Sequence, residues 1–317
     1  MCTESGSLEC MSQLLVKSIR EFGGALKDAD IFSVQPRNAA PIAPITKAVF
    51  KEHQVHHEYV LLNTKYVDYG FANKVMACDH YAKTLTHDHL LFMDSDHLVL
   101  NDLHGLLPGS MDLSLRVVNK KGVGTNGQDD NAAYWKRLYD LFGVSNPQFV
   151  ETVIGKEKIF SYYNAGLIFG SRRSGIFQQW RANFEKVMGM GIMPNQGLFF
   201  VEQSVLSATL ASMKLTVNEL PNTYNYSPES HFYLTGKNEA LGLDQINTFH
   251  YHRLFSPPRK INVRKDFASF TGPKLEWIKQ ELIACGINPQ PFYEEWEIDL
   301  YEQKEKIVEM MKKQLND

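Results

Sequence analysis

Residues 89–102 read HLLFMDSDHLVLND. Leu90, Leu91, Phe92 and Met93 form a short apolar run, which suits a strand buried on both faces or a piece of buried helix. Asp94, Ser95 and Asp96 follow at once and favour the strand, because they fall where a central strand emerges at its carboxyl end. In an open α/β sheet that edge is where ligands bind. Two carboxylates one residue apart repel each other unless something positive sits beside them. A hard divalent cation with oxygen ligands is the simplest such partner. The competing reading is an acidic surface turn. The second apolar run, Leu98 to Leu100, weighs against it.

Working outward, the 317 residues suit one large α/β domain or two small ones, and can bury a substantial core. A net charge of -3 gives no support for nucleic-acid binding. No apolar run is long enough to cross a bilayer. The opening MCTESGSLEC lacks the basic and apolar regions of a secretory signal. Cys2, Cys10, Cys78 and Cys285 contain no C-x-x-C pair, so a reducing, cytoplasmic setting is expected rather than a disulfide framework or a zinc-thiolate site.

Taken in order, residues 7–22 carry apolar positions at helical spacing, with Ser7 as a cap and Gly23-Gly24 as a stop. Ile31 to Val34 and Tyr59 to Leu62 are strand candidates. Ile45 to Lys51 and Asn73 to Lys83 read as helix. This alternation predicts βαβ units and a mixed, mostly parallel sheet flanked by helices. Only Met1 to Glu4 is available as the strand before the first helix, so that strand is either very short or truncated. Lys120 to Asn131 is a loop, expected to touch an acceptor. Ala132–Phe142, Ile176–Met188 and Phe199–Met213 read as helices. Ile159 to Gly170 reads as a strand interrupted at Asn164-Ala165-Gly166. Leu215 to Leu220 and Thr248 to His252 are further strands. The expected organisation is a domain over residues 1–270 and a charged helical extension over residues 271–317.

Several spaced motifs resemble the retaining nucleotide-sugar glycosyltransferases of the GT-A fold, especially the glycogenin-like family eight. These are TESGSLECMSQLLVKSIR, ANKVMACDHYAKTLTHDHLLFMDSDHLVLNDLHGLL, YYNAGLIFG, VEQSVLSATL, LPNTYNY and FHYHR, in the family's order. The resemblance implies a GT-A, Rossmann-like fold. It also implies transfer of a sugar from a nucleoside diphosphate donor, UDP-linked, to an unknown acceptor, with retention of configuration. The departing diphosphate gains charge, and a cation on its oxygens stabilises the transition state more than the ground state.

By that resemblance Asp94, Asp96 and His250 hold Mn2+ or Mg2+, and Asp94 also lies near the donor sugar. An imidazole among carboxylates favours manganese. His252 competes with His250, and only one of the two is expected to reach the metal. Lys74 reaches the donor, although it lies 20 positions before Asp94, about one helical turn further than usual; a solvated surface lysine is the plain alternative. Asn164, Ala165 and Gly166 face the sugar, or else form a simple bulge. Glu202 and Gln203 lie beside the anomeric carbon, or else on an exposed helix face. Thr3, Glu4 and Ser5 hold base and ribose. Where the family carries a diphosphate-gripping lysine six positions after His250, this chain has Ser256. Arg253, Arg259 and Lys260 are the candidate replacements. The other histidines, His97 among them, make the first third of the chain histidine-rich; a zinc site on His87 and His89 is one reading, and a solvated loop is the favoured one.

Three other functions stay open. A haloacid-dehalogenase-like phosphatase also uses a strand ending in Asp-x-Asp, but near its N-terminus. A non-catalytic sugar-nucleotide-binding module fits the missing lysine. A nucleotidyltransferase wants a basic Gly-rich loop after its first strand, and Thr3 to Glu9 has no basic residue.

Overall fold

A computed structural model describes residues 1–107, 109–252 and 270–286. They fall into two compact units. The first comprises residues 1–226 and 246–250; the second comprises residues 227–245 and the described residues after His250.

In the first unit, helix α1 (Ser7–Phe22) buries Leu14, Leu15 and Val16. Each such side chain contributes about 1.5–3 kcal/mol on leaving water. The helix is capped by Gly6, not by the expected Ser7 side chain, and Glu9 closes the turn by accepting from Gly6 N at 3.1 Å. Strand β1 (Ile31–Gln35) pairs in parallel with β2 (Val55–Tyr59). The second strand thus lies earlier than the predicted Tyr59–Leu62. The apolar residues there run on as an extended tail instead, with Leu62 N donating to Pro36 O at 3.0 Å. Helix α2 (Pro44–Glu52) starts on a proline, whose fixed φ suits a first turn. Helix α3 (Ala72–Thr84) is buried along most of its length.

Strand β3 (His89–Met93) runs into the acidic turn, and β4 (His97–Val99) leaves it. Strand β5 (Leu113–Leu115) is fully buried. Helix α4 (Ala132–Phe142) ends at Gly143 with φ 72°, a left-handed cap that suits glycine. Strands β6 (Phe149–Glu151) and β7 (Lys158–Phe160) form an antiparallel pair. Strand β8 (Leu167–Ser171) follows the Asn-Ala-Gly interruption. Helices α5 (Ile176–Gly189) and α6 (Val201–Met213), strand β9 (Val217–Glu219) and strand β10 (Thr248–His250) complete the unit.

The main sheet has the order β3-β8-β5-β9. It is mixed, but not mostly parallel as expected: β8 is antiparallel to both β3 and β5, while β5 and β9 are parallel. Alternating strands and helices in the sequence do not reveal a strand that enters the sheet reversed. Strands β4 and β10 form a separate antiparallel ladder, with His250 opposite His97. Trp135, Trp180, Phe177 and Phe184 belong to one buried core cluster. Leu15, Met93, Val99 and Phe169 form a second cluster.

In the second unit, helix α7 (Pro228–Thr235) is capped by Ser227, whose Oγ accepts from Ser230 N at 3.2 Å. Helix α8 (Pro273–Ala284) buries Leu275, Ile278 and Leu282. The rest of the expected C-terminal helical stretch lies outside the described residues.

Candidate functional site

The acidic turn is built by its neighbours on both sides. Asp94 N donates to Gly166 O at 2.8 Å, continuing the β3–β8 ladder past Met93. His97 N donates back to Asp94 O at 3.2 Å and closes a four-residue turn. Ser95 Oγ donates to Cys2 O at 2.6 Å, which fastens the turn to the start of the chain. Asp96 is left facing the end of β10, where His250 Nε2 lies 3.1 Å from Asp96 Oδ1.

Gly166 is required at this junction. A Cβ there would lie 2.8 Å from His250 Cε1, 3.1 Å from its Nδ1 and 3.2 Å from Asp94 Oδ2. The glycine therefore lets Asp94 and His250 approach one small space from opposite sides.

Two buried groups set the orientation of His250. Its Nδ1 lies 2.9 Å from Asn225 Oδ1, and its ring stacks on His97 at 4.0 Å between centroids. The His97 Nε2 reaches the same Asn225 oxygen at 2.9 Å. Burial, reinforced by His250, pushes the His97 pKa down to about 3, so this ring is neutral. With Nδ1–H donated to Asn225, His250 turns its Nε2 lone pair toward the Asp96 carboxylate. The two form an ion pair when the ring is protonated; with the ring neutral, the lone pair and the carboxylate face each other, an arrangement that a cation relieves. Imidazole and carboxylate are donors that manganese accepts, and neighbouring ligands of an octahedral ion lie about 3 Å apart. The residues present fit such a group.

Lys74 comes from the first turn of α3. Its ammonium donates to Asp94 Oδ2 at 2.7 Å and to Ala165 O at 3.2 Å. It is buried rather than a solvated surface lysine. Burial works against its charge, but Asp94 and Glu202, aided by Asp96, outweigh that and hold its pKa above the ordinary value. Burial raises the Asp94 pKa; Lys74 opposes the rise, and Asp96 adds to it.

Glu202 and Gln203 sit on the first turn of α6 and are buried, so neither lies on an exposed face. Gln203 Oε1 accepts from Ala165 N at 3.0 Å. Glu202 accepts from the Tyr69 hydroxyl. Burial raises the Glu202 pKa, Lys74 opposes this, and Asp94 adds to it. Asn164 N donates to Arg116 O at 2.9 Å. Asn164, Ala165 and Gly166 are thus a linker threaded between α6 and the acidic turn.

The opening residues are placed differently in detail. The Thr3 hydroxyl is fully buried and takes part in a Ser33–Thr3–Ser12 relay with both links at 2.8 Å. Glu4 is paired with Arg37, whose Nε lies 2.8 Å from Glu4 Oε1. Ser5 is half-buried. Arg253, Ser256, Arg259 and Lys260 lie outside the described residues. His252 lies beyond β10, which stops at His250, and adopts a left-handed backbone with φ 52°.

Sequence reasoning missed His97, Asn225, Tyr69 and Arg37. His97 was given no role in the site, yet it is fully buried on β4. The available signals were its place next to Asp96 and the position of Asn225 in the LPNTYNY turn. Asn225 has φ 48°, a conformation asparagine tolerates better than most residues.

A family described as the Rhodobacterales glycosyltransferase domain matches residues 1–214, and the chain belongs to that family. Among solved structures it is similar to an apo structure of the bifunctional glycosyltransferase WbbM, with 14% sequence identity and a TM-score of 0.49. That match covers 88% of this chain and 50% of WbbM's, so the chain spans half of that structure's length. No curated protein sequence matches. Among the described residues, no helix is long and apolar enough to cross a membrane.

Proposed function

We propose that the chain is a GT-A, Rossmann-like enzyme that transfers a sugar from a nucleoside diphosphate sugar, UDP-linked, with retention of configuration. The acceptor is a glycan, a protein or a small molecule. The observation that carries this reading is that His250 Nε2 lies 3.1 Å from Asp96 Oδ1 while Asp94 Oδ2 approaches the same imidazole across Gly166. Asp94, Asp96 and His250 would hold Mn2+, or Mg2+ in its place. A divalent ion bound there supplies charge stabilisation to the departing diphosphate.

The chain's own residues do the rest. Asn225 and His97 orient His250. Lys74 is held charged and bridges the acidic turn to the Asn164–Gly166 linker, where it also faces incoming donor oxygens. Gln203 fixes the backbone of Ala165. Glu202, kept from solvent and raised in pKa, stands behind that linker with Gln203, on the side where the anomeric carbon would lie. Thr3, Glu4 and Ser5 would shape the base and ribose end, with Thr3 acting from beneath as a structural support. Arg253 remains a candidate for the diphosphate.

The test is a panel of nucleotide sugars screened by thermal shift, with and without Mn2+. A ligand that binds only the folded chain raises its melting temperature. A UDP-sugar that stabilises the chain only when manganese is present supports the reading. Stabilisation by no nucleotide sugar under either condition refutes it.

A further inference from the structure

A row of aromatic rings runs from the buried end of the site to the surface. The Tyr69 hydroxyl donates to Glu202 at its inner end. The Tyr69 ring meets Phe71 edge-on with centroids 5.7 Å apart, Phe71 lies 5.9 Å from Phe200, and Phe200 lies 4.0 Å from Phe199. Tyr69 is buried and Phe200 half-buried, but Phe71 is 37% exposed and Phe199 52%. The Lys74 ammonium ties the row to the acidic turn. It lies 5.5 Å from the centre of the Phe71 ring and donates to Asp94 Oδ2 at 2.7 Å. A cation at that distance from an aromatic ring is attracted to its face.

The backbone holds these rings where they are. Phe71 sits at the cap of α3, which carries Lys74, and Phe200 at the cap of α6, which carries Glu202. Each ring is therefore fixed within one helical turn of a site residue. Phe200 has φ 55°, a left-handed backbone that bulky side chains rarely adopt. Such strain persists only where the surroundings over-determine it, and it clusters at ligand sites. Here it sets Phe200 against the core while Phe199, next to it, stays open to solvent. The preceding segment is tied to the 120–131 loop. Asn195 Nδ2 donates to Asp130 O at 2.9 Å, and Asn195 N donates to Asn131 Oδ1 at 3.3 Å. That loop exposes Asn126, Gln128 and Asp130. Two exposed rings thus stand between a buried, charged site and a polar rim.

We propose that Phe71 and Phe199 form the stacking platform of an acceptor subsite, and that the acceptor is a saccharide whose terminal pyranose ring lies against them. An enzyme of the proposed kind must bring an acceptor hydroxyl up to the donor sugar, and the row leads to Glu202 and Lys74. The face of an aromatic ring is apolar and carries partial negative charge. One face of a pyranose presents C–H bonds that complement it, while the hydroxyls point outward, where the amides and carboxylate of the 120–131 loop can take them. An acyl chain or a membrane surface would use the rings but not the polar rim. The inference rests on the reading that sugar transfer takes place beside Asp94 and Glu202.

The test is saturation-transfer NMR on the full chain with methyl α- and β-glycosides of glucose, galactose and mannose, and with maltose, cellobiose and lactose. The variants are Phe71→Leu and Phe199→Leu, which keep apolar bulk but lose the flat ring, and Phe199→Trp, which keeps it. Phe232→Leu, at an exposed ring on α7, is the control. At least one saccharide should take up saturation at its ring C–H protons. Each of the two platform leucine variants should weaken its binding by about threefold or more, while Phe199→Trp and the control bind as the parent does. No contact with any saccharide overturns the proposal, and so does equal binding by Phe199→Leu and the parent. Phosphatidylglycerol vesicles bound equally by the parent and Phe199→Leu, with no saccharide contact, would overturn it too and assign the rings to a lipid surface. Saccharide contact is read without nucleotide, and UDP with Mn2+ is then added to the same samples and followed by thermal shift. UDP binding without saccharide contact overturns the platform alone. Saccharide contact that depends on Phe199, without UDP binding, supports the platform and refutes the donor site.

Discussion

Gly166 carries a sharper constraint than either acid beside it. Gly166→Ala forces a methyl group into His250 and Asp94, and overpacking of this kind costs about 1–3 kcal/mol. The expected outcome is a manganese affinity reduced tenfold or more by calorimetry, with a circular dichroism spectrum unchanged. An unaltered affinity would show that His250 and Asp94 do not share a site. Asn225 acts one step further out. Partners that orient a ligating histidine are typically worth 10–100-fold in affinity. Asn225→Gly keeps the left-handed backbone and removes the amide, so it separates orientation from strain. It should weaken manganese binding within about that range while moving the melting temperature little.

At the scale of elements, α3 delivers Lys74 into the space between β3 and the 164–166 linker. Replacing one member of a buried ion pair leaves the other charge uncompensated, at a cost of about 3–5 kcal/mol. Lys74→Met should therefore lower the chemical-denaturation midpoint as well as donor turnover. Lys74→Met with Asp94→Asn should recover much of the stability but not the turnover. A single variant as stable as the parent would show that the pair contributes nothing to the fold.

The same elements show what the sequence made legible. Helix α1, helix α3, helix α4 and the acidic turn follow from local spacing and glycine stops, and they lie within a residue or two of expectation. The direction of β8 and the early position of β2 depend on pairing across the sheet, which local patterns do not encode. Lys74 and Glu202 also read as surface residues, because the partners that hold them, Asp94 and Ala165 for Lys74 and Tyr69 for Glu202, meet them only in the fold. His97 was hidden for a related reason. Its burial comes from the cross-strand pairing with His250, more than 150 positions away.

For the whole molecule, the thiols report whether the first unit stays closed. Cys2 and Cys78 are buried, whereas Cys10 and Cys285 are partly accessible. Burial pushes the Cys2 thiol from 9.0 up to about 12, and raises Cys78 as well. A folded-state pKa raised in this way leaves stability intact below pH 9 and removes it as pH rises from there toward 12, because the unfolded chain gives up the proton first. Mass spectrometry after iodoacetamide at pH 8 should find Cys10 and Cys285 alkylated and Cys2 and Cys78 spared. The melting temperature should fall steadily above pH 9. Rapid alkylation of Cys2 in the folded chain would mean that the start of the chain is not held against β1.

The central claim is that the turn after β3 and the end of β10 grip one divalent cation where a diphosphate leaves. Titration of Mn2+ followed by electron paramagnetic resonance, with and without UDP, tests it most directly in the parent chain and in Asp96→Ala. The account predicts a single bound ion per parent chain, tightened by UDP, and loss of that binding in the variant. Undiminished, UDP-tightened manganese binding by Asp96→Ala would contradict it.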